Sequence, residues 1–142
     1  MAETNMIEQV CNFWTERADW RCIPTSGAMT PDGAAIMDTP VGIEAVQKFH
    51  NIDYDLGRLI ASRGNHVHVI RPGIASFPFK QYAWSGVSLA VVERSARQLA
   101  ALVGTAKTLL PRPSEPNSNV SWEDIAKVLS LLPDNVLVVQ VA

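Results

Sequence analysis

The chain has 142 residues, 47% of them hydrophobic and 18% charged, with a net charge of −2. That length and apolar content fit one globular domain with a sizeable core and exclude a disordered chain. The near-neutral charge, with no basic block, argues against nucleic acid as the main partner, because phosphate binding needs clustered Lys and Arg. No apolar run approaches the ~20 residues of a membrane span. The first residues, Met-Ala-Glu-Thr-Asn, lack the basic and apolar parts of a signal peptide. Two cysteines, Cys11 and Cys22, make neither a disulfide framework nor a metal set and read as inert core thiols. The cell interior fits best, with no metal and no cofactor expected.

In chain order, Met6 to Val10 reads as a short first strand, followed by Asn12-Phe-Trp. Trp20 to Ile23 reads as a second strand that runs into Pro24-Thr-Ser-Gly27, a turn-forming cluster. Thr30-Pro-Asp-Gly33 is a strong turn signal. Val41 to Phe49 has helical spacing, with Val41, Ala45, Val46 and Phe49 on one face and Pro40 at its start. Tyr54 to Ser62 is a second helix, ended by Gly64. Val67 to Ile70 and Ile74 to Phe77 are strands joined by Arg71-Pro72-Gly73. His50, His66 and His68 fall on a helix end and a strand, where a satisfied or exposed imidazole is the expected state.

Ser88 to Leu102 is the clearest helix: Leu89, Val92, Ala96, Leu99 and Val103 keep its period, and Gly104 ends it. Thr108 to Leu110 is a short strand. Pro111, Pro113 and Pro116 then stop regular structure, and Ser114, Asn117, Ser118 and Asn119 form turns. Ser121 caps a helix to Leu132, with an acid three residues on. Val136 to Val139 is a continuous apolar run, suited to a strand buried on both faces. Strands alternate with helices, so the expected fold is a single three-layer α/β/α domain over 1–142 with a partly parallel, mixed sheet. The loop from Pro111 to Ser121 connects a strand to a helix N-terminus, the place where α/β proteins bind anions, although by spacing alone it reads first as an ordinary connection that binds nothing.

Several stretches together resemble the macrodomain family, which binds ADP-ribose and its derivatives. The likeness is to the bacterial and phage branch that includes antitoxin macrodomains removing ADP-ribose from DNA. Ile74-Ala-Ser-Phe-Pro-Phe-Lys80 is similar to that branch's nFPtK strand, with Trp84 and Ser88 following. Cys11-Asn12-Phe13-Trp14 resembles its base-reading turn. Thr25-Ser26-Gly27 and Gly33-Ala-Ala-Ile-Met37 resemble its first ligand loop, and Leu110-Pro-Arg-Pro runs into the second. The helix around Trp122 and the last strand complete the likeness, which covers nearly the whole chain. By this resemblance the ligand site comprises Asn12, Thr25, Ser26, Gly27, Met37, Asp38, Tyr82, Trp84, Arg112, Ser114, Glu115, Asn117, Ser118 and Asn119.

The departures from the family pattern bear on chemistry. Asp38-Thr39-Pro40 replaces a glycine-rich phosphate loop, and Ser114-Glu115-Pro116-Asn117-Ser118-Asn119 has no glycine where the second loop is usually rich in it. Glycine lets backbone N–H groups approach a diphosphate closely, and proline deletes a donor. Asp38 and Glu115 add negative charge, which repels phosphate unless cations such as Arg112 or Lys80 intervene or the carboxylates meet a cationic distal group. Three readings stay open. The resemblance implies a binder of an ADP-ribose derivative, such as a phage protein that sequesters an ADP-ribose-type immune signal carrying an amino acid in the host cytoplasm. Second to it stands a macrodomain-type ADP-ribosyl hydrolase or ADP-ribose phosphoesterase, with Asp38 or Glu115 activating water, and third a fold whose pocket has decayed. Phe77, Phe79, Tyr82 and Trp84 serve either as core or as stacking surfaces for adenine, and Gly86 frees a possible lid.

Overall fold

The computed structural model describes residues 9–115 and 118–141. Ten elements follow in order: β1 (Gln9–Cys11), β2 (Trp20–Thr25), α1 (Pro40–Lys48), α2 (Ile52–Arg63), β3 (Val69–Arg71), β4 (Ile74–Pro78), α3 (Leu89–Val103), β5 (Thr108–Pro111), α4 (Trp122–Leu129) and β6 (Val136–Val141). The helix starts obey local chemistry. Thr39, Ser88 and Ser121 each cap a helix, their hydroxyl oxygens accepting from the N–H of Gly42, Val91 and Asp124. Pro40 occupies the first turn of α1, where a missing N–H costs nothing. Helix α2 begins two residues earlier than its apolar spacing indicates, because Asn51 takes the left-handed conformation (φ 62°) that turns the chain straight out of α1. Helix α4 stops at Leu129 rather than Leu132; a further turn, Leu132 N–H to Leu129 C=O, buries Leu132.

The six strands form one sheet in the order β1-β6-β5-β2-β4-β3. All neighbours are parallel except β3 against β4, so the sheet is mixed. β3 starts at Val69, later than expected: His68 spends its backbone groups on Ser76, its N–H on the hydroxyl and its C=O on the N–H. The expected first strand is described only from Gln9 onward, and Met6 to Glu8 lie outside the described residues. Strand β6 lies inside the sheet between β1 and β5, and Val136, Val138 and Val139 are buried.

Strand alternation divides the core in two. Cys22, Leu110 and Val138 point to one face, where they meet Val92, Ala96 and Leu99 of α3 and Ile125 and Leu129 of α4. Their neighbours Ile23, Leu109 and Val139 point to the other face, against Val41 and Ala45 of α1 and Ile52 and Leu56 of α2. The result is three layers, helices on both sides of the sheet. Burying one such leucine or valine contributes roughly 1.5–3 kcal/mol. Phe77 is core, and both cysteines are buried free thiols.

Candidate functional site

The site begins with two prolines. β2 pairs with β5 only at its start, Trp20 with Thr108 and Arg21 with Leu109. Beyond that the two strands part. The Thr25 carbonyl accepts from Phe79 N–H on the β4 side, so Pro24, one residue back, has its backbone edge toward β5. Arg112 N–H donates to Val139 C=O on the β6 side, so Pro111 turns its edge toward β2. Neither proline has an N–H to give. Two donors are therefore missing on facing edges, the ladder stops, and a cleft opens at the carboxyl end of the sheet. Pro24, expected from composition to lie in a turn, belongs to β2 instead: it keeps its place against Phe77 of β4 and loses only the bond toward β5.

The cleft encloses about 330 Å³. Pro24, Val41, Pro111, Val139 and Val141 supply apolar walls; Thr39, Glu44, Arg112, Ser114 and Gln140 supply polar groups. Thr39 uses its hydroxyl twice, donating to Pro24 C=O (3.2 Å) and accepting from Gly42 N–H (3.2 Å), which anchors the start of α1 at the cleft floor. Glu44 enters from the α1 layer. Its Oε1 accepts from the Trp14 indole N–H at 3.0 Å. Arg112 leans the other way, its guanidinium 4.4 Å from the ring centre of Trp122 on α4. An acid from α1 and a guanidinium from the loop after β5, stacked on α4, thus share one cleft, with apolar strand ends between them.

Beside the cleft, the loops after β4 and β5 are fastened together. Lys80 is buried, and its Nζ donates to Glu115 Oε2 at 2.8 Å and to Ala83 C=O at 3.0 Å. Asn119 Oδ1 accepts from Val87 N–H at 3.0 Å. A Cβ on Gly86 would stand 1.9 Å from that same oxygen, so glycine is what lets the two loops of the clasp close. Behind Lys80, its carbonyl accepts from Asn65 Nδ2 at 3.2 Å, and the Asn65 carbonyl accepts from Arg94. On the outside of the clasp, Tyr82 and Trp84 stack on each other, ring centres 4.8 Å apart, and Trp84 is 82% exposed.

No family model and no curated protein matches the sequence. Among solved structures, the chain is similar to the macrodomain of Thermus aquaticus DarG, with a TM-score of 0.69 at 15% identity over 94% of this chain and 97% of that one. It is similar to the macrodomain of Mycobacterium tuberculosis DarG to the same extent, with a TM-score of 0.69 at 12% identity and the same coverage. The fold is the macrodomain fold.

On that macrodomain fold the residues singled out from the sequence separate into groups. Arg112 and Ser114 line the cleft. Thr25, Ser26 and Met37 are buried beside it: Thr25 ends β2, Ser26 Oγ accepts from Ala28 N–H, and Met37 packs with Phe13 and Val41. Gly27 N–H donates to Gln81 C=O, joining the loop after β2 to the loop after β4. Asp38 is exposed. Asn12 is exposed on the turn after β1, its carbonyl accepting from Thr15 and Glu16 N–H. Glu115 and Asn119 belong to the clasp, Ser118 Oγ accepts from Val120 N–H, and Asn117 lies outside the described residues. Sequence reading missed Glu44, Gln140, Val141 and the lining role of Thr39, Pro40 and Val41. The Thr39-Pro40 cap and first-turn signal was readable, and it marks the helix start that the cleft uses. Among the described residues no three His, Cys, Asp or Glu side chains gather as a metal site, and no helix is long and apolar enough to cross a membrane.

Proposed function

We propose that the chain binds an ADP-ribose derivative in the cleft between β2 and β5. The observation that carries this reading is the place and lining of that cleft. It lies at the carboxyl ends of parallel strands beside the start of α1, where α/β folds take nucleotides. Its apolar walls with a few convergent polar groups are the ordinary make-up of a small-molecule site. Arg112 and Ser114 would meet phosphate, since a planar guanidinium suits phosphate oxygens. Asn12, on the turn after β1, would donate to a ring nitrogen of adenine. The finer reading is a ligand with a cationic or donor-rich distal group, such as an amino-acid conjugate, met by Asp38 and Glu115 and held intact. A phage protein that withdraws an ADP-ribose-type immune signal would work in this way.

A second reading, hydrolysis of an ADP-ribosyl bond, is favoured by one observation. Lys80, from the loop after β4, and Glu115, from the loop after β5 that also carries Arg112 and Ser114, form a partly enclosed ammonium–carboxylate pair beside the cleft. Such a pair can hold a proton and pass it to the group that leaves the sugar carbon as water takes its place. One experiment separates the two readings. The protein is incubated with ADP-ribose, its histidine conjugate, NAD and cyclic ADP-ribose, and bound and released species are analysed by mass spectrometry. Intact conjugate recovered after denaturation supports the binder. Free ADP-ribose and amino acid, lost with Lys80→Met, support the hydrolase. Retention of none of the four, with no turnover, sinks both. For the binder, Glu115→Gln should weaken the conjugate by roughly 1.5–3 kcal/mol more than plain ADP-ribose, the worth of a charge-assisted hydrogen bond.

A further inference from the structure

The short segment between α2 and β3 carries a hydrogen-bond chain in which each member fixes the next. Val67 N–H donates to Gln98 Oε1 on α3 at 2.9 Å. A backbone N–H can only donate, so the Gln98 oxygen is committed there, and its amide nitrogen points to His66 Nδ1, 3.0 Å away. That nitrogen is a donor, so Nδ1 must accept, and the imidazole is neutral with its proton on Nε2. A cationic ring would set an N–H against the amide N–H. Turning the amide over would set its nitrogen against Val67 N–H instead. Gln98 thus satisfies His66 in one protonation state only. Arg94, one helical turn before Gln98, faces the imidazole from α3, and His68, its ring edge-on at 6.3 Å, faces it from the residue before β3. On the α2 side the ring lies over Gly64, where a Cβ would stand 3.3 Å from it. Burial first, then Arg94 and His68, hold the imidazole below its ordinary value of 6.5.

The same segment holds the loop that carries Lys80. Asn65, next to His66, donates its Nδ2 to Lys80 C=O at 3.2 Å and accepts at its own carbonyl from Arg94. A Cβ on Gly27 would stand 2.8 Å from the Gln81 carbonyl oxygen and 3.1 Å from Asn65 Cγ, so Asn65 is wedged where the loops after β2 and β4 join. We propose that Asn65 positions the Lys80 loop and that a proton on His66 releases it, so that the cleft loses its ligand in acid. The charged ring lets go of Gln98 and repels Arg94 from the Asn65 carbonyl, and the Asn65 amide then no longer holds Lys80. The His66 backbone stays in place, because Ser76 Oγ donates to its carbonyl at 3.2 Å. The change is therefore confined to a ring, two amides and a guanidinium. The loss of ligand rests on the proposed function, whereas the release of the Lys80 loop does not.

The test is a pH series on the intact chain, from about pH 7.5 down to about pH 5.5, with two readouts. NMR follows the His66 ring and the backbone amides of Lys80 and Gln81 without ligand. Calorimetry follows the affinity for plain ADP-ribose, which, unlike its histidine conjugate, carries no imidazole of its own. In the native chain the two amides should move together with the His66 ring. Affinity should be level while the ring is neutral and fall about fivefold or more as it takes up its proton. His66→Gln should leave the amides still and the affinity level. Gln98→Glu gives an acceptor both to Val67 N–H and to a protonated Nδ1, so the ring should titrate above 6.5 and the acid loss should vanish. Lys80 and Gln81 amides that ignore the His66 titration overturn the inference. So does an acid loss that His66→Gln leaves in place, or a native affinity that stays level throughout. A native chain that binds no ADP-ribose at any pH overturns the proposed function, and the amides still decide whether His66 governs the Lys80 loop.

Discussion

Glu115 and Glu44 both stand at the carboxyl edge of the sheet, one in the loop after β5 and one on α1. Glu115 gives its charge to buried Lys80, and the loop around it is further tied by Asn119 to the backbone of Val87. Glu44 gives one oxygen to an indole N–H and keeps its net charge in the cleft. The first rim is a clasp, polar and internally paired. The second is an open wall, anchored by aromatic packing around Trp14. The difference teaches that an acidic residue near a ligand site is informative only once its partner is known. A paired carboxylate has its charge balanced and only its second oxygen left to offer, whereas an exposed one bonded to a neutral donor keeps its charge.

The largest expected effect tests the clasp. Lys80→Met removes the cation from Glu115 and the donor from Ala83, and Glu115→Gln leaves a buried ammonium with one carbonyl. Either should cost about 2–3 kcal/mol in urea unfolding, near the low end for a broken buried pair because Glu115 is partly solvated. Glu44→Gln, by contrast, should change stability by under about 0.5 kcal/mol, as surface substitutions do. Equal losses would erase the distinction between the two rims.

Asn12→Ala, on the open side, should leave stability unchanged and cost on the order of 1–3 kcal/mol of ADP-ribose affinity, measured by calorimetry. Unchanged affinity removes Asn12 from the site. Asn119→Ala strands the N–H of buried Val87 and should lower stability by about 1–2 kcal/mol in the same unfolding assay. Its effect on binding should be smaller than that of Asn12→Ala, since Asn119 acts through the clasp.

The smallest effect is a pH dependence on the clasped side. Burial, then Arg94, then His68 hold the His66 imidazole below its ordinary value of 6.5. Below that pH the unfolded chain takes up a proton before the native chain does, so stability falls as pH drops from 6.5 toward the lowered native value. Above 6.5 this contribution is constant. His66→Gln should flatten that part of a midpoint-against-pH curve and leave the loss from carboxylate protonation at lower pH in place. A curve identical for both chains would show that His66 is not linked to folding.

Much of the fold was legible locally. Ser88, Ser121 and Gly104 mark helix ends with their own side chains or lack of one, and the 3.6-residue spacing of Leu89 to Val103 defines α3 whatever surrounds it. The apolar run at Val136 announces an interior strand because only a strand covered on both faces tolerates it. These are properties of single segments. The cleft was legible in part: Arg112 and Ser114, named from the family resemblance, line it, whereas Glu44 was not foreseen, because nothing within α1 distinguishes it from a solvated helix residue.

What the sequence by itself determined is the alternation of strands and helices, their caps and the interior strand, since each follows from interactions within a few residues. Tertiary structure alone decided the rest. Pro24 and Pro111 are 87 positions apart by their numbers, and they open a cleft only because sheet order sets β2 beside β5 with both proline edges facing inward. Lys80 and Glu115 cancel, and Trp14 and Glu44 meet, for the same reason. Charge pairing and strand splaying depend on distance in space, which falls off over a few ångströms, and no local pattern encodes which distant residue will be that close.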